Sequence, residues 1–96
     1  MEGAAEVARS ISLSPRELGE LCLGHLAEDP EALARFMEAT GYSPAGIRAA
    51  VGSDQLDRGL IDYFAQDEPL LLALCANNAI SPEDFMGVWA RLNATA

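Results

Sequence analysis

Asp67-Glu68-Pro69-Leu70-Leu71-Leu72-Ala73-Leu74-Cys75-Ala76 is the stretch whose reading decides the fold. An acidic cap and a proline in the first turn open a helix, and the residues behind them place apolar side chains on every face. A helix without a polar face must be enclosed by neighbours or by a partner, since no orientation of it suits water. The span 68–78 is therefore expected at the centre of an all-α protein, wrapped by shorter amphipathic helices.

Working outward, the segment after it carries Asn77-Asn78, which can supply a left-handed helix end. Ser81-Pro82 then starts another helix, with Ile80 and Phe85 as its hydrophobic staple and Phe85, Val88, Trp89 and Leu92 facing inward. On the other side, a helix from about Asp54 presents Leu56, Leu60, Ile61, Tyr63 and Phe64. Near the start of the chain, Ser14-Pro15-Arg16-Glu17 reads as a capping box stapled by Leu13 and Leu18. Leu18, Leu21, Cys22, His25 and Leu26 follow at the spacing of one buried helical face. Asp29-Pro30 ends that helix and caps the next, because proline disfavours helical geometry at the residue before it yet fits a first turn. This second helix turns Leu33, Phe36 and Met37 inward and stops at Thr40-Gly41. Ser43-Pro44 opens a short third helix, stapled by Tyr42 and Ile47, with Ile47 and Val51 toward the core and Gly52-Ser53 as its break. The expected fold is an all-α, compact orthogonal bundle of five or six short helices. It forms one domain over residues 13–93, preceded by a flexible tail over residues 1–12.

One regularity crosses these segments. Tyr42-Ser43-Pro44 matches Ile80-Ser81-Pro82 at an offset of 38, which also aligns Leu33 with Leu71, Phe36 with Leu74, Ile47 with Phe85 and Val51 with Trp89. Two related helical hairpins would produce this, and so would two helices that merely share their start signals. Two copies are too few for a solenoid, and the tetratricopeptide consensus is absent.

Fifteen acidic residues face six basic ones, giving a net charge of −9 that repels phosphate and acidic lipid headgroups. Nucleic acid and anionic membrane are thus poor candidates as partners. Many of the acids, among them Asp29, Glu31, Asp67, Glu68, Glu83 and Asp84, fall at helix starts, where the positive end of the macrodipole stabilises them. The longest apolar run, Leu70 to Ala76, is far below the ~20 residues of a membrane span. The opening Met1-Glu2-Gly3-Ala4-Ala5-Glu6 lacks the cationic start and apolar centre of a secretory signal, so a cytoplasmic location is expected. Cys22 and Cys75 sit on apolar faces without metal-ligand spacing and read as free core thiols.

The run Leu26-Ala27-Glu28-Asp29-Pro30-Glu31-Ala32-Leu33-Ala34-Arg35-Phe36, then Thr40-Gly41-Tyr42-Ser43-Pro44 and Asp67-Glu68-Pro69-Leu70-Leu71-Leu72, resembles a family of small bacterial proteins known only as a domain of unknown function. The likeness spans roughly residues 18 to 92. It implies an all-helical bacterial cytosolic protein and brings no active site with it.

Several constellations imitate chemistry. Ala39 to Arg48 resembles a DNA-binding helix-turn-helix, yet only Ser43 and Arg48 could contact bases and the basic footprint is missing. The acidic helix starts at Glu28, Asp29, Glu31, Asp67 and Glu68 would meet if the hairpins are related, but their spacing fits no calcium loop. His25 is the sole histidine; paired with Cys22 it could form a nucleophile dyad, although no third group orients it. The bland reading of each is capping, solvation or packing. No catalytic, cofactor-binding or metal-ligating residue is assigned, and the small-enzyme, metal-protein and DNA-binding alternatives rank below a non-catalytic protein-protein interaction or regulatory module. Its candidate surface is Leu70, Leu72 and Trp89, its partner another protein or a second copy of the chain.

Overall fold

Every helix begins where a Ser or Asp side chain accepts a hydrogen bond from a backbone amide that the helix itself cannot satisfy. Ser14 caps α1 (Pro15–Ala27), Asp29 caps α2 (Pro30–Thr40) and Ser43 caps α3 (Pro44–Ala50). Ser53, Asp67 and Ser81 do the same for α4 (Asp54–Ala65), α5 (Glu68–Asn78) and α6 (Pro82–Asn93). Glu17 returns a bond to the Ser14 amide, completing the capping box read from the sequence. The computed structural model describes residues 13–94, and all elements among them are helical, as an all-α bundle requires. The tail expected over residues 1–12 lies outside the described residues.

The core is centred on α1 and α4, which pack along one another more extensively than any other pair. Leu18, Cys22 and Leu26 of α1 meet Leu56, Leu60, Ile61 and Phe64 of α4 in a cluster closed by Phe36, Leu74, Phe85 and Val88. Each large side chain enclosed there contributes roughly 1.5–3 kcal/mol relative to exposure. Helix α5 packs on α1, α4 and α6, and its inner residues Leu71, Leu74 and Cys75 are buried. Its far side is open. Leu72 is 47% exposed and Pro69, Ala73 and Ala76 are exposed around it. The apolar helix is therefore a flank of the bundle with one uncovered face, not a rod enclosed all round.

Two other expectations change. Val51, expected in the core, is 56% exposed, because α3 ends at Ala50 and Val51 already has the extended backbone of the following turn. The left-handed end of α5 falls on Ala79 at φ 55°, not on an asparagine. Asn78 stays helical and donates its side-chain amide to the Leu74 carbonyl.

The repeat of 38 residues extends beyond two hairpins. Helices α2 and α5 have corresponding first and last residues, Pro30 with Glu68 and Thr40 with Asn78. Their caps correspond as well, Asp29 with Asp67 and left-handed Gly41 with left-handed Ala79, and so do Ser43 and Ser81, the caps of α3 and α6. One helix earlier, α1 and α4 end at Ala27 and Ala65, and their buried Leu18, Cys22 and Leu26 match Leu56, Leu60 and Phe64. By this offset the described chain divides into two stretches of three helices, α1–α3 and α4–α6, joined above all by the packing of α1 on α4; their packing differs, since α6 lies on α4 and α5 of its own stretch whereas α3 lies on α4 of the other.

Equivalent residues meet at that contact. Gly19 corresponds to Asp57, and a Cβ at Gly19 would stand 2.8 Å from the Asp57 carboxyl carbon. Glycine leaves the space that the buried Asp57 side chain occupies. Arg16 holds that carboxylate through Nε at 2.8 Å and also donates to the Gly52 carbonyl, tying α1 to the turn before α4.

Candidate functional site

The ends of α1 and α4 and the beginnings of α2 and α5 enclose a groove of about 250 Å³. Helices α2 and α5 form its walls and scarcely touch each other. Its lining is made of residue pairs related by the repeat: His25 with Tyr63, Asp29 with Asp67, Ala32 with Leu70, and Arg35 with Ala73, together with Pro69. The groove therefore lies where the two units face each other.

The pairs differ in chemistry. On the α1–α2 side stand His25 and Arg35, and on the α4–α5 side Tyr63, Leu70 and Ala73. Tyr63 is set by packing: its ring meets Phe36 edge-on at 5.1 Å between centroids, and Phe36 in turn stacks near Tyr42. His25 presents its ring to the edge of Phe64 at 5.9 Å, which makes it a half-buried packing residue of α1. Asp29 and Asp67 each use Oδ1 for a cap, toward the amides of Ala32 and Leu70 at 3.3 and 3.2 Å. Of the acidic helix starts, Asp29 and Asp67 line the same groove, while Glu28, Glu31 and Glu68 do not line it. Among the described residues no three His, Cys, Asp or Glu side chains lie together in a way that could hold a metal ion.

The three residues read from sequence as an interaction surface are divided. Leu70 lines this groove, and Leu72 lies on the open face of α5 next to the exposed groove residues Pro69 and Ala73. Trp89 is elsewhere, in a cleft between α4 and α6 lined by Arg58, Gly59, Asp62 and Leu92. There its indole N–H donates to Asp62 Oδ1 at 3.1 Å, and Arg58 donates to the Leu92 carbonyl at 2.9 Å, so the cleft serves to fasten α6 to α4.

The other candidates have plain structural employment. Burial pushes the Cys22 thiol far above its ordinary range, with Cys75 and Asp57 adding to the shift, which leaves no thiolate for nucleophilic attack. Burial also raises Cys75, and both cysteines are free. In the would-be helix-turn-helix the Ser43 hydroxyl caps α3, so Arg48 is the only cation that short element exposes.

Tyr63, Arg35, Pro69 and Ala73 were not read from sequence as site residues; Tyr63 stood there as a packing residue and Pro69 as a first-turn proline. The signal that finds them is the offset of 38 carried one helix further back, which pairs His25 with Tyr63 and Asp29 with Asp67. Together these features define a small helical bundle of two stretches related in sequence by the offset, with a mixed polar groove between them and an uncovered apolar helix face alongside.

A family model covers nearly all of that structure. The chain belongs to DUF3572, described as a protein of unknown function, whose model matches residues 13–95. No curated protein and no solved structure matches it. Among the described residues no helix is long and apolar enough to cross a membrane.

Proposed function

We propose that this protein is a non-catalytic interaction module of the cytosol, engaging another protein or a second copy of itself through the outer face of α5 and the adjoining groove. The observation that carries this is Leu72, 47% exposed at the middle of a helix whose opposite side is core. About half of that apolar side chain stays in water in the single chain, and covering it removes apolar surface from water. The inert Cys22 thiol and the packing role of His25 support a non-catalytic role. Two free buried thiols suit a reducing compartment.

The test is Leu72→Glu, compared with the parent chain by sedimentation velocity and by affinity capture. Because Leu72 lies outside the core, the substitution is expected to change folding stability by no more than about 0.5 kcal/mol. A concentration-dependent dimer, or a captured protein, that is lost in Leu72→Glu is the expected result. A parent chain that sediments as a monomer and retains no protein speaks against the proposal.

A further inference from the structure

We infer that the occupant of this surface is a basic amphipathic segment of a protein partner, with an Arg or Lys head group between Asp29 and Asp67 and an apolar side chain on Leu72. This names the partner chemistry for the interaction proposed above and rests on it.

Charge and shape both point to that occupant. Asp29 and Asp67 stand on facing walls of the groove, and each commits only one carboxylate oxygen to its helix cap. Neither takes part in an ion pair with another described residue; the ion pairs among the described residues are those of Arg16 with Asp54 and Asp57. Arg35 lies in the same groove and offsets one charge, while Glu31 and Glu68, exposed in the first turns of the flanking helices, keep the opening net negative. Tyr63, Pro69 and Leu70 line the same groove and give it an aromatic and apolar wall. A long basic side chain matches this arrangement, since its methylene stem lies on apolar surface while its cation reaches carboxylates and an aromatic face. One turn further along α5, exposed Leu72 and Ala76 continue the apolar strip without a cation on the helix. An acidic segment would meet two unpaired carboxylates and a chain of net charge −9.

The probes are three synthetic helical peptides of about five turns: one with Leu and Lys on opposite faces, one with Glu replacing every Lys, and one with Ser replacing every Leu. Binding is read by fluorescence anisotropy at two salt concentrations and mapped by amide chemical shifts. The Leu/Lys peptide is expected to bind and to shift resonances of α5 and of the groove. The double variant Asp29→Asn with Asp67→Asn should weaken it at least about tenfold, as should Leu72→Ser. Asn caps a helix as well as Asp, so that variant is expected to keep its fold. The pair Glu83→Gln with Asp84→Asn removes the same charge from the start of α6 and should leave binding unchanged.

Equal loss in both double variants, or unchanged binding in the Asp29/Asp67 variant, would overturn the assignment by reducing it to bulk charge. Leu72-dependent binding of the Leu/Glu peptide would overturn it too, while leaving the interaction proposal standing. Absence of binding by all three peptides refutes this occupant. A loss of partner capture or dimerisation in Leu72→Glu would in that case still uphold the broader proposal.

Discussion

Asp57 is a charge placed where the other unit has no side chain at all. Its equivalent is Gly19, and the two touch across the α1–α4 contact, with Asp57 only 5% exposed and held by Arg16 Nε at 2.8 Å. Removing the arginine leaves a buried carboxylate without its counter-ion. Because the Arg16 side chain is itself 47% exposed, screening by solvent keeps its share modest, and Arg16→Ala is expected to lower the urea midpoint without abolishing the fold. Gly19→Ala sets two effects against each other: alanine gains about 1 kcal/mol of helix propensity, but its methyl group displaces the Asp57 carboxylate from Arg16. Displacement wins in the parent chain, so Gly19→Ala destabilises, whereas in an Asp57→Gly background, which also removes the Asp57 Cβ that would stand 3.0 Å from the new methyl group, the same change should stabilise. Equal effects in both backgrounds would show that the two positions are not coupled. A second residue-scale prediction concerns Cys22, whose thiol pKa burial raises in the folded chain. The folded state then keeps a proton that the unfolded state releases. Stability from this group is complete below the unfolded thiol value of about 8.5 and declines as pH rises beyond it. Denaturation midpoints between pH 7 and 10 should fall for the parent chain and fall less for Cys22→Ala.

At the scale of elements, the helix ends separate what a sequence reveals from what it conceals. Ala79 occupies the left-handed position that Gly41 occupies in the other unit, with φ 55° against 83°. A Cβ is disfavoured there and glycine is not. Ala79→Gly should therefore raise stability by about 0.5–1 kcal/mol, seen as a higher thermal midpoint, and Gly41→Ala should lower it by a similar amount. A lower midpoint for Ala79→Gly would mean that chain entropy outweighs the strain. All the helix starts were legible because a cap is decided within four residues, Ser14 with Glu17 being the fullest case. The end of α5 was not, because Asn78 spends its side chain on the Leu74 carbonyl and remains helical, moving the left-handed residue to Ala79. Nor was the open face of α5 legible. Leu71 and Leu72 look alike in sequence, and only the approach of α1, α4 and α6 from the inner side buries the first and leaves the second exposed. The groove was half visible: Asp29 and Asp67 stood out as acidic helix starts, but Tyr63 and Arg35 join them only through packing of segments far apart in the chain.

For the whole molecule, the consequence of one core shared between α1 and α4 is mutual dependence of the two halves. Each unit comprises three short helices, and a chain of about 40 residues or fewer seldom encloses enough apolar surface to fold alone. The side chains that would have to supply that core, Leu18, Cys22 and Leu26 in one unit and Leu56, Leu60 and Phe64 in the other, are spent on the contact between the units. Separated, each half exposes that row to water and loses the Arg16 bonds to Asp57 and Gly52 that cross the junction. Chains covering residues 13–51 and 52–94 are therefore expected to be largely unfolded individually by circular dichroism, and to recover helix when mixed. Since acids outnumber bases 15 to 6 over the full sequence, repulsion opposes their association, so added salt should strengthen the recovery until screening is complete. Substituting Gly19→Leu in the first half would block the approach of Asp57 and with it the recovery, without touching any residue of the α5 surface. A half that unfolds cooperatively on its own would place the stability within each unit rather than between them. In that event the packing of α1 on α4, and the groove that depends on it, would be an assembly of two self-sufficient domains.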